Sequence, residues 1–248
     1  MSYENNNQEI PSGSFIPATW PTAEELARAT SSCLTKVFLR MFAALVVTAI
    51  AAYSVAASLT VQILIFGNMF VFFGLIIVEF ILVIVISARI NKLSPTAANV
   101  MFFLYAIING LTLSSIFIVY EIGIIYQAFA VAALMFAAMA LYGSTTRRDL
   151  TSIGSLCLMG LFGIIIASLV NIFFRSEMFD MMISYIGVFI FIGLTAYDTQ
   201  RTKRMLADAN SVSHAVAIQR ISVIGALSLY LNFINLFLRL LRILGRRR

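Results

Sequence analysis

The chain has 248 residues, 61% of them hydrophobic and 11% charged, against about a quarter charged in an ordinary soluble domain. Its formal net charge of +6 comes from Lys and Arg residues lying mostly between apolar runs or at the C-terminus. That pattern carries no nucleic-acid surface and points to a lipid bilayer as the main solvent.

Residues 1–33 are polar, rich in Asn and Ser, and interrupted by Pro11, Pro17 and Pro21. No basic start leads into a short apolar stretch, which argues against a cleaved signal peptide. The segment reads as a flexible tail with a short helix expected around Glu24 to Arg28, a docking segment being the less favoured alternative. Residues 34–245 form the membrane domain and 246–248 a basic end.

Seven runs with little or no charge are expected to span the bilayer, at about 37–57, 64–86, 97–119, 124–142, 153–174, 181–200 and 221–242. Each approaches the roughly 20 residues that a helix needs to cross about 30 Å of hydrocarbon. Strands of strict alternation are absent, so a barrel is excluded and the fold class is an all-α integral membrane bundle. Small residues within the runs, among them Gly110, Ser114, Ser115, Gly154, Gly160, Gly163, Gly187 and Gly193, let helices approach closely.

In the first run Arg40 can snorkel to the interface and needs no function. In the second, Glu79 lies deep, and a charge at bilayer centre costs about 3 kcal/mol, which makes it a functional candidate. Arg89 closes that run about 15 Å further along, too far to pair with Glu79 on one helix. It can meet a carboxylate on another helix or anchor the interface. Asn109 and Asn171 read as hydrogen-bond glue between helices.

Asp198, near the end of the sixth run, is the second intramembrane acid and a candidate proton acceptor. A structural reading, a protonated carboxyl bonded to a neighbouring helix, competes at both acids. His214 has no histidine or cysteine partner in sequence and reads as solvated. Cys33 and Cys157 are isolated and suggest neither a disulfide framework nor a metal site.

With the N-terminus inside, the inner loops hold Arg89 and Lys92, then Arg147 and Arg148, then Arg201, Lys203 and Arg204, while the opposite loops hold Arg175. The bias places the N-terminus in the cytoplasm. Seven full spans then carry Arg239, Arg242 and Arg246 to Arg248 outward, against the same rule. Either the early loops dominate, or the last segment re-enters and returns.

No phosphate-binding glycine loop, His-Glu-x-x-His or Gly-x-Ser-x-Gly occurs, which removes the ordinary hydrolase and nucleotide-driven pump readings. An intramembrane aspartyl protease fails as well. Asp180 lies about 27 Å from Asp198 on a straight helix, and no Gly-x-Gly-Asp is present. The chain is therefore not expected to be an enzyme, and no cofactor is implied.

The segments FIGLTAYDTQ (Phe191 to Gln200) and ALSLYLNFINLF (Ala226 to Phe237) resemble the transmembrane Bax-inhibitor-motif family. FLYAIINGLTLSSIF (Phe103 to Phe117), DLTSIG (Asp149 to Gly154) and LVNIFF (Leu169 to Phe174) extend the likeness over about residues 34–245. The resemblance implies seven helices with the last one central, and a proton-sensitive, calcium-permeable leak gated by carboxylates at the cytoplasmic face. It places the family's first gating aspartate on Asp198, its second-helix glutamate on Glu79 and its arginine on Arg89. The second aspartate falls on Asn232, which is not an acid. Two close carboxyls share a proton and titrate together, whereas an Asp and Asn pair can bond in either protonation state, so the pH switch should be weaker or shifted.

On this reading Glu79 and Asp198 make transient, weak contacts to permeant calcium. The alternative function is a regulator that transports nothing and modulates another membrane protein. A bacterial inner membrane is the expected location. A reporter fused at Met1 should be accessible from the cytoplasmic side alone, and labelling from outside is the result that overturns this orientation.

Overall fold

The computed structural model describes residues 22–211 and 215–245, with no account of the side chains at 210 and 211. Most of the expected tail, His214 and the basic end at 246–248 therefore lie outside the described residues. The first helix, α1, runs Ala23–Ala56. Thr22 and Glu25 cap it reciprocally: the Thr22 hydroxyl accepts from the Glu25 N–H, and the Glu25 carboxylate accepts from the Thr22 N–H. The short helix expected at Glu24 to Arg28 is thus the first turns of the first span, and residues 23–33 belong to that helix.

The second expected run is split. A short helix α2, Leu59–Phe66, ends at Gly67, and α3, Met69–Arg89, starts afresh because the Asn68 side chain accepts from the Phe70 N–H at 3.0 Å. The third run is also broken, into α4, Pro95–Leu113, and α5, Ile116–Val119. Between them the Ser114 and Ser115 hydroxyls donate to the Leu111 and Thr112 carbonyls, an alternative to the helical ladder that favours a turn.

Then follow α6, Ile122–Thr145, α7, Thr151–Phe174, α8, Glu177–Ser211, and α9, Ala215–Leu244. Arg175 ends α7 in the left-handed region at φ 49°. Seven of these segments are long and apolar enough to cross a membrane, and no strand occurs among the described residues. The fold is an all-α membrane bundle. Arg201, Lys203 and Arg204, expected in a loop, are helical because α8 continues eleven residues past Gln200.

Two sets of contacts sort the helix ends. Lys203 donates to the Ser144 carbonyl, Arg204 pairs with Asp149, and Arg220 donates to the Leu93 carbonyl. The C-terminal ends of α3, α6 and α8 therefore gather at one end with the start of α9. At the other end Arg242 pairs with Asp180 at 2.6 Å, and Gly245 lies against the Tyr120 ring. As one unbroken helix touching both ends, α9 crosses the bundle and does not re-enter. Its Arg242 reaches the second end beside an acid.

Burial is uneven, as a lipid solvent permits. In α7 most side chains face outward, including Leu156, Phe162 and Phe173, whereas 67% of the most apolar stretch of α9 is buried. α9 packs against α1, α4, α6 and α8. Phe233 of α9 meets Phe129 and Phe136 of α6 edge-on at centroid separations of 5.4 and 5.6 Å.

Hydrocarbon offers no hydrophobic drive between helices, so contact depends on backbone approach. Gly110 brings α4 against α1, where an added Cβ would sit 2.6 Å from the Thr48 carbonyl oxygen. Gly143 brings α6 onto the Ala196 backbone of α8 even more closely, while Gly163 of α7 faces open space. Gly143→Ala should therefore lower the unfolding midpoint in detergent, at a cost of about 1–3 kcal/mol of overpacking. Gly163→Ala should leave it unchanged or raise it, since alanine is favoured in a helix by roughly 0.5–1 kcal/mol. Equal effects would remove close packing of α6 on α8 as a constraint.

Candidate functional site

Two polar clusters are built on α9, and each contains one of the intramembrane acids. In the first, Asn232 donates its amide N–H to the Asp198 carboxylate at 2.8 Å. Asn232 is buried and Asp198 is half-buried, so the bond is shielded from competing water. Asp198 comes from α8, where Thr195 and Thr199 turn their hydroxyls back onto the Phe191 and Thr195 carbonyls. Those hydroxyls are satisfied within their own helix and leave Asn232 as the partner of the acid.

Below this pair the turn between α6 and α7 is fastened to α8. The Gln200 side chain accepts from the Leu150 N–H at 3.0 Å and donates to the Arg148 carbonyl at 2.7 Å. Arg204 donates to Asp149 at 2.9 Å. The Thr151 hydroxyl and N–H, and then Arg204, hold the exposed Asp149 carboxyl below its ordinary range. A carboxylate with a depressed value supports this contact above its ordinary pKa and stops doing so as acidification protonates it.

The second cluster crosses four helices. Glu79 of α3 accepts from the Thr112 hydroxyl at 2.7 Å and from the Asn109 amide at 3.2 Å, both on α4. The Asn109 carbonyl accepts from the Tyr230 hydroxyl of α9 at 3.0 Å, and that hydroxyl lies 2.7 Å from the Thr48 hydroxyl of α1. With the Tyr230 proton on Asn109, Thr48 is the donor to Tyr230, although the Ala44 and Ala106 carbonyls, each at 2.9 Å, compete for the same proton. The Tyr230 ring is wholly buried and held edge-on by Phe102 and Tyr105.

Tyr230 and Asn232 are two residues apart, about 3 Å along the axis and about 200° around it. Asn109, which donates to Glu79, and Asp198 are consequently met by different sides of one helix at nearly one level. They share no hydrogen bond with each other. Among the described residues no group of three or more His, Cys, Asp or Glu side chains could hold a metal ion.

Of the residues singled out in sequence, Asp198 and Asn232 are brought together and Glu79 is placed in a network of its own. Arg89 is exposed at the end of α3 and makes no side-chain hydrogen bond or ion pair among the described residues, so it meets no carboxylate there. Asn109 does join helices, as expected. Asn171 does not: its side chain accepts from the Ser176 N–H and closes the turn after α7. Arg40, expected to be able to snorkel to the interface, is half-buried and has its Nη1 buried without a hydrogen-bond partner among the described residues.

Tyr230, Thr112, Thr48 and Gln200 were not foreseen as parts of these clusters. Tyr230 sits inside the segment Ala226 to Phe237, yet a tyrosine in an apolar run reads as an ordinary aromatic until its neighbours are known.

The sequence matches the model of the family described as "Inhibitor of apoptosis-promoting Bax1" over residues 30–248. It is 50% identical to the inner membrane protein YbhL of Escherichia coli over 210 residues, 84% of this chain and 88% of that one. An uncharacterized protein of Borreliella burgdorferi is 46% identical over 218 residues, 87% of this chain and 92% of the relative. A further uncharacterized protein, from Rickettsia prowazekii, is 43% identical over 158 residues, 64% of this chain and 66% of its own.

Tyr230→Phe keeps the ring and its edge-on contacts but removes the hydroxyl that joins Asn109 to Thr48. It should destabilise the bundle by about 0.6–2 kcal/mol, the span of interhelical hydrogen bonds and unpaired buried acceptors. Thermal unfolding of the detergent-solubilised chain checks this. An unchanged midpoint would mean that the second cluster does not bind the four helices together.

Proposed function

The chain belongs to the Bax inhibitor family, and from that premise we propose that it is a pH-sensitive, calcium-permeable leak channel of the membrane it spans. The observation that carries the reading is the 2.8 Å bond between Asp198 and Asn232. It joins α8 to α9 at a carboxylate within the spans, toward the end where α3, α6 and α8 finish.

In this reading the bond is the closed contact of the path. A hydrated cation competes with the Asn232 amide for the Asp198 carboxylate, and α8 and α9 part when the cation wins. Glu79 supplies a second hard oxygen ligand. Two acids with carbonyls and hydroxyls bind calcium weakly, which suits passage better than retention.

Proton sensing follows from the same pair. The asparagine amide donates to an ionised Asp198 and can accept from a protonated one, so the contact persists through titration. The response to pH should accordingly be shallow. The positive-inside bias supports a cytoplasmic location for this end of the bundle, and the inner-membrane name of the Escherichia coli relative supports a bacterial inner membrane.

The test is calcium flux into liposomes of one lipid composition containing the full chain alone, measured against pH. Asp198→Asn and Glu79→Gln should each change the flux severalfold more than Glu121→Gln, since Glu121 lies exposed at the start of α6. Asn232→Asp should steepen the pH response, because two carboxyls at this separation titrate as a coupled pair. No flux at any pH would overturn the leak and leave the regulator of another membrane protein, and a steep switch that Asp198→Asn leaves untouched would overturn gating by this helix pair.

A further inference from the structure

Where α4 and α9 begin against the middle of α1, a cavity of about 530 Å³ opens among Lys36, Arg40, Thr96, Asn99, Gln219 and Ser222. Ligand pockets commonly run from about 300 to 1,000 Å³, so a small polar group fits. Both charged side chains at its wall are cations, one helical turn apart on the same face of α1, and no acid lines it. Neither Lys36 nor Arg40 belongs to an ion pair of the described residues.

Two polar atoms at this wall are buried without a partner, Nη1 of Arg40 and Oδ1 of Asn99. A buried guanidinium N–H without an acceptor is costly, and a buried charge is ordinarily matched by an opposite one. The Asn99 amide makes no side-chain bond among the described residues, so rotation about its last bond can present its N–H to the same space. The first turn of α4 adds the positive end of a nineteen-residue helix, with Ser94 capping the Ala97 N–H. The two cations and the start of α4 therefore ask for an anion, and the Asn99 amide joins them once rotated.

We propose that this pocket binds a phosphate oxyanion, supplied by the headgroup of an anionic phospholipid. The planar fork of Arg40 matches two phosphate oxygens, Lys36 adds a second charge, and Gln219 and Ser222 flank the space for a hydroxylated headgroup. The depth is that of headgroups, since Asn99 lies about 6 Å along α4 from its start. The neighbouring positions Leu39, Val100 and Val216 are exposed at 65%, 62% and 51%, which leaves apolar surface for the acyl chains beside the pocket. The site is independent of the leak reading and of the Asp198 and Glu79 clusters.

The experiment titrates the detergent-solubilised full chain with short-chain phosphatidylglycerol, short-chain phosphatidylcholine or inorganic phosphate, reading the unfolding midpoint. Phosphatidylglycerol should half-saturate at a concentration about tenfold below that of phosphatidylcholine, and Arg40→Gln should abolish that preference. Asn99→Asp keeps the shape of the side chain and places a carboxylate beside Arg40. It should raise the midpoint of the lipid-free protein and remove the response to phosphatidylglycerol, a result that misfolding cannot imitate. Lys92→Gln, outside the pocket, should leave the preference intact. Equal half-saturation by the two lipids, or a preference that survives both pocket variants, would overturn the site. Inorganic phosphate reproducing the effect at the same concentrations, with the same sensitivity to both variants, would overturn the lipid as its source.

Discussion

Polar groups buried in a bundle surrounded by hydrocarbon must find partners inside the protein, and α9 is where this requirement falls hardest. Water cannot rescue an unmade bond there, so each polar side chain on a buried helix selects the element that lies against it. Tyr230 selects α4 through Asn109 and α1 through Thr48, and Asn232 selects α8 through Asp198. Apart from the Arg242 and Asp180 pair at one end of α9 and the approach of Thr48 to the Ala106 carbonyl, these helices meet mainly through aliphatic and aromatic side chains. Dispersion alone tolerates sliding and rotation far better than a hydrogen bond does.

The outer helices show the same constraint from the opposite side. α7 packs against α8 and turns large apolar side chains outward, which a bilayer solvates without penalty. Its anchorage comes instead from the turn before it, where Gln200 and Arg204 hold Arg148, Asp149 and Leu150 to the end of α8. Tight packing is concentrated where glycine allows it, with Gly143 of α6 on α8 and Gly110 of α4 on α1. Mobile elements in such a bundle are expected where bonds are few and lipid contact is large, while the clusters around α9 move only by exchanging one partner for another.

That exchange is what the proposed gate rests on. A carboxylate held by a neutral amide is a weaker lock than one held by a cation, and a stronger one than a like-charged acid. The Asp198 and Asn232 pair therefore sits between a permanent ion pair and a repelling dyad. Glu79 is held by two neutral donors in the same way. Arg40 is the opposite case, a charge without a counter-charge among the described residues, which the proposed headgroup would supply.

Composition and charge pattern determined that the chain is a membrane bundle of seven spans, because hydrocarbon thickness and the cost of buried charge act on every residue in a run. Motifs at Phe191 to Gln200 and Ala226 to Phe237 were enough to place Asp198 and Asn232 in one family pattern. The breaks at Asn68 and at Ser114 and Ser115 escaped hydropathy, which averages over windows and does not register a side chain capping a helix. Only the tertiary structure decided that Asp198 meets Asn232 while Glu79 meets Thr112 and Asn109 and that, among the described residues, Arg89 meets no carboxylate and Nη1 of Arg40 has no partner. Such pairings join residues as far as 182 positions apart in the chain, as Thr48 and Tyr230 are. They depend on how each helix is rotated about its own axis, and that rotation is set jointly by all of its neighbours.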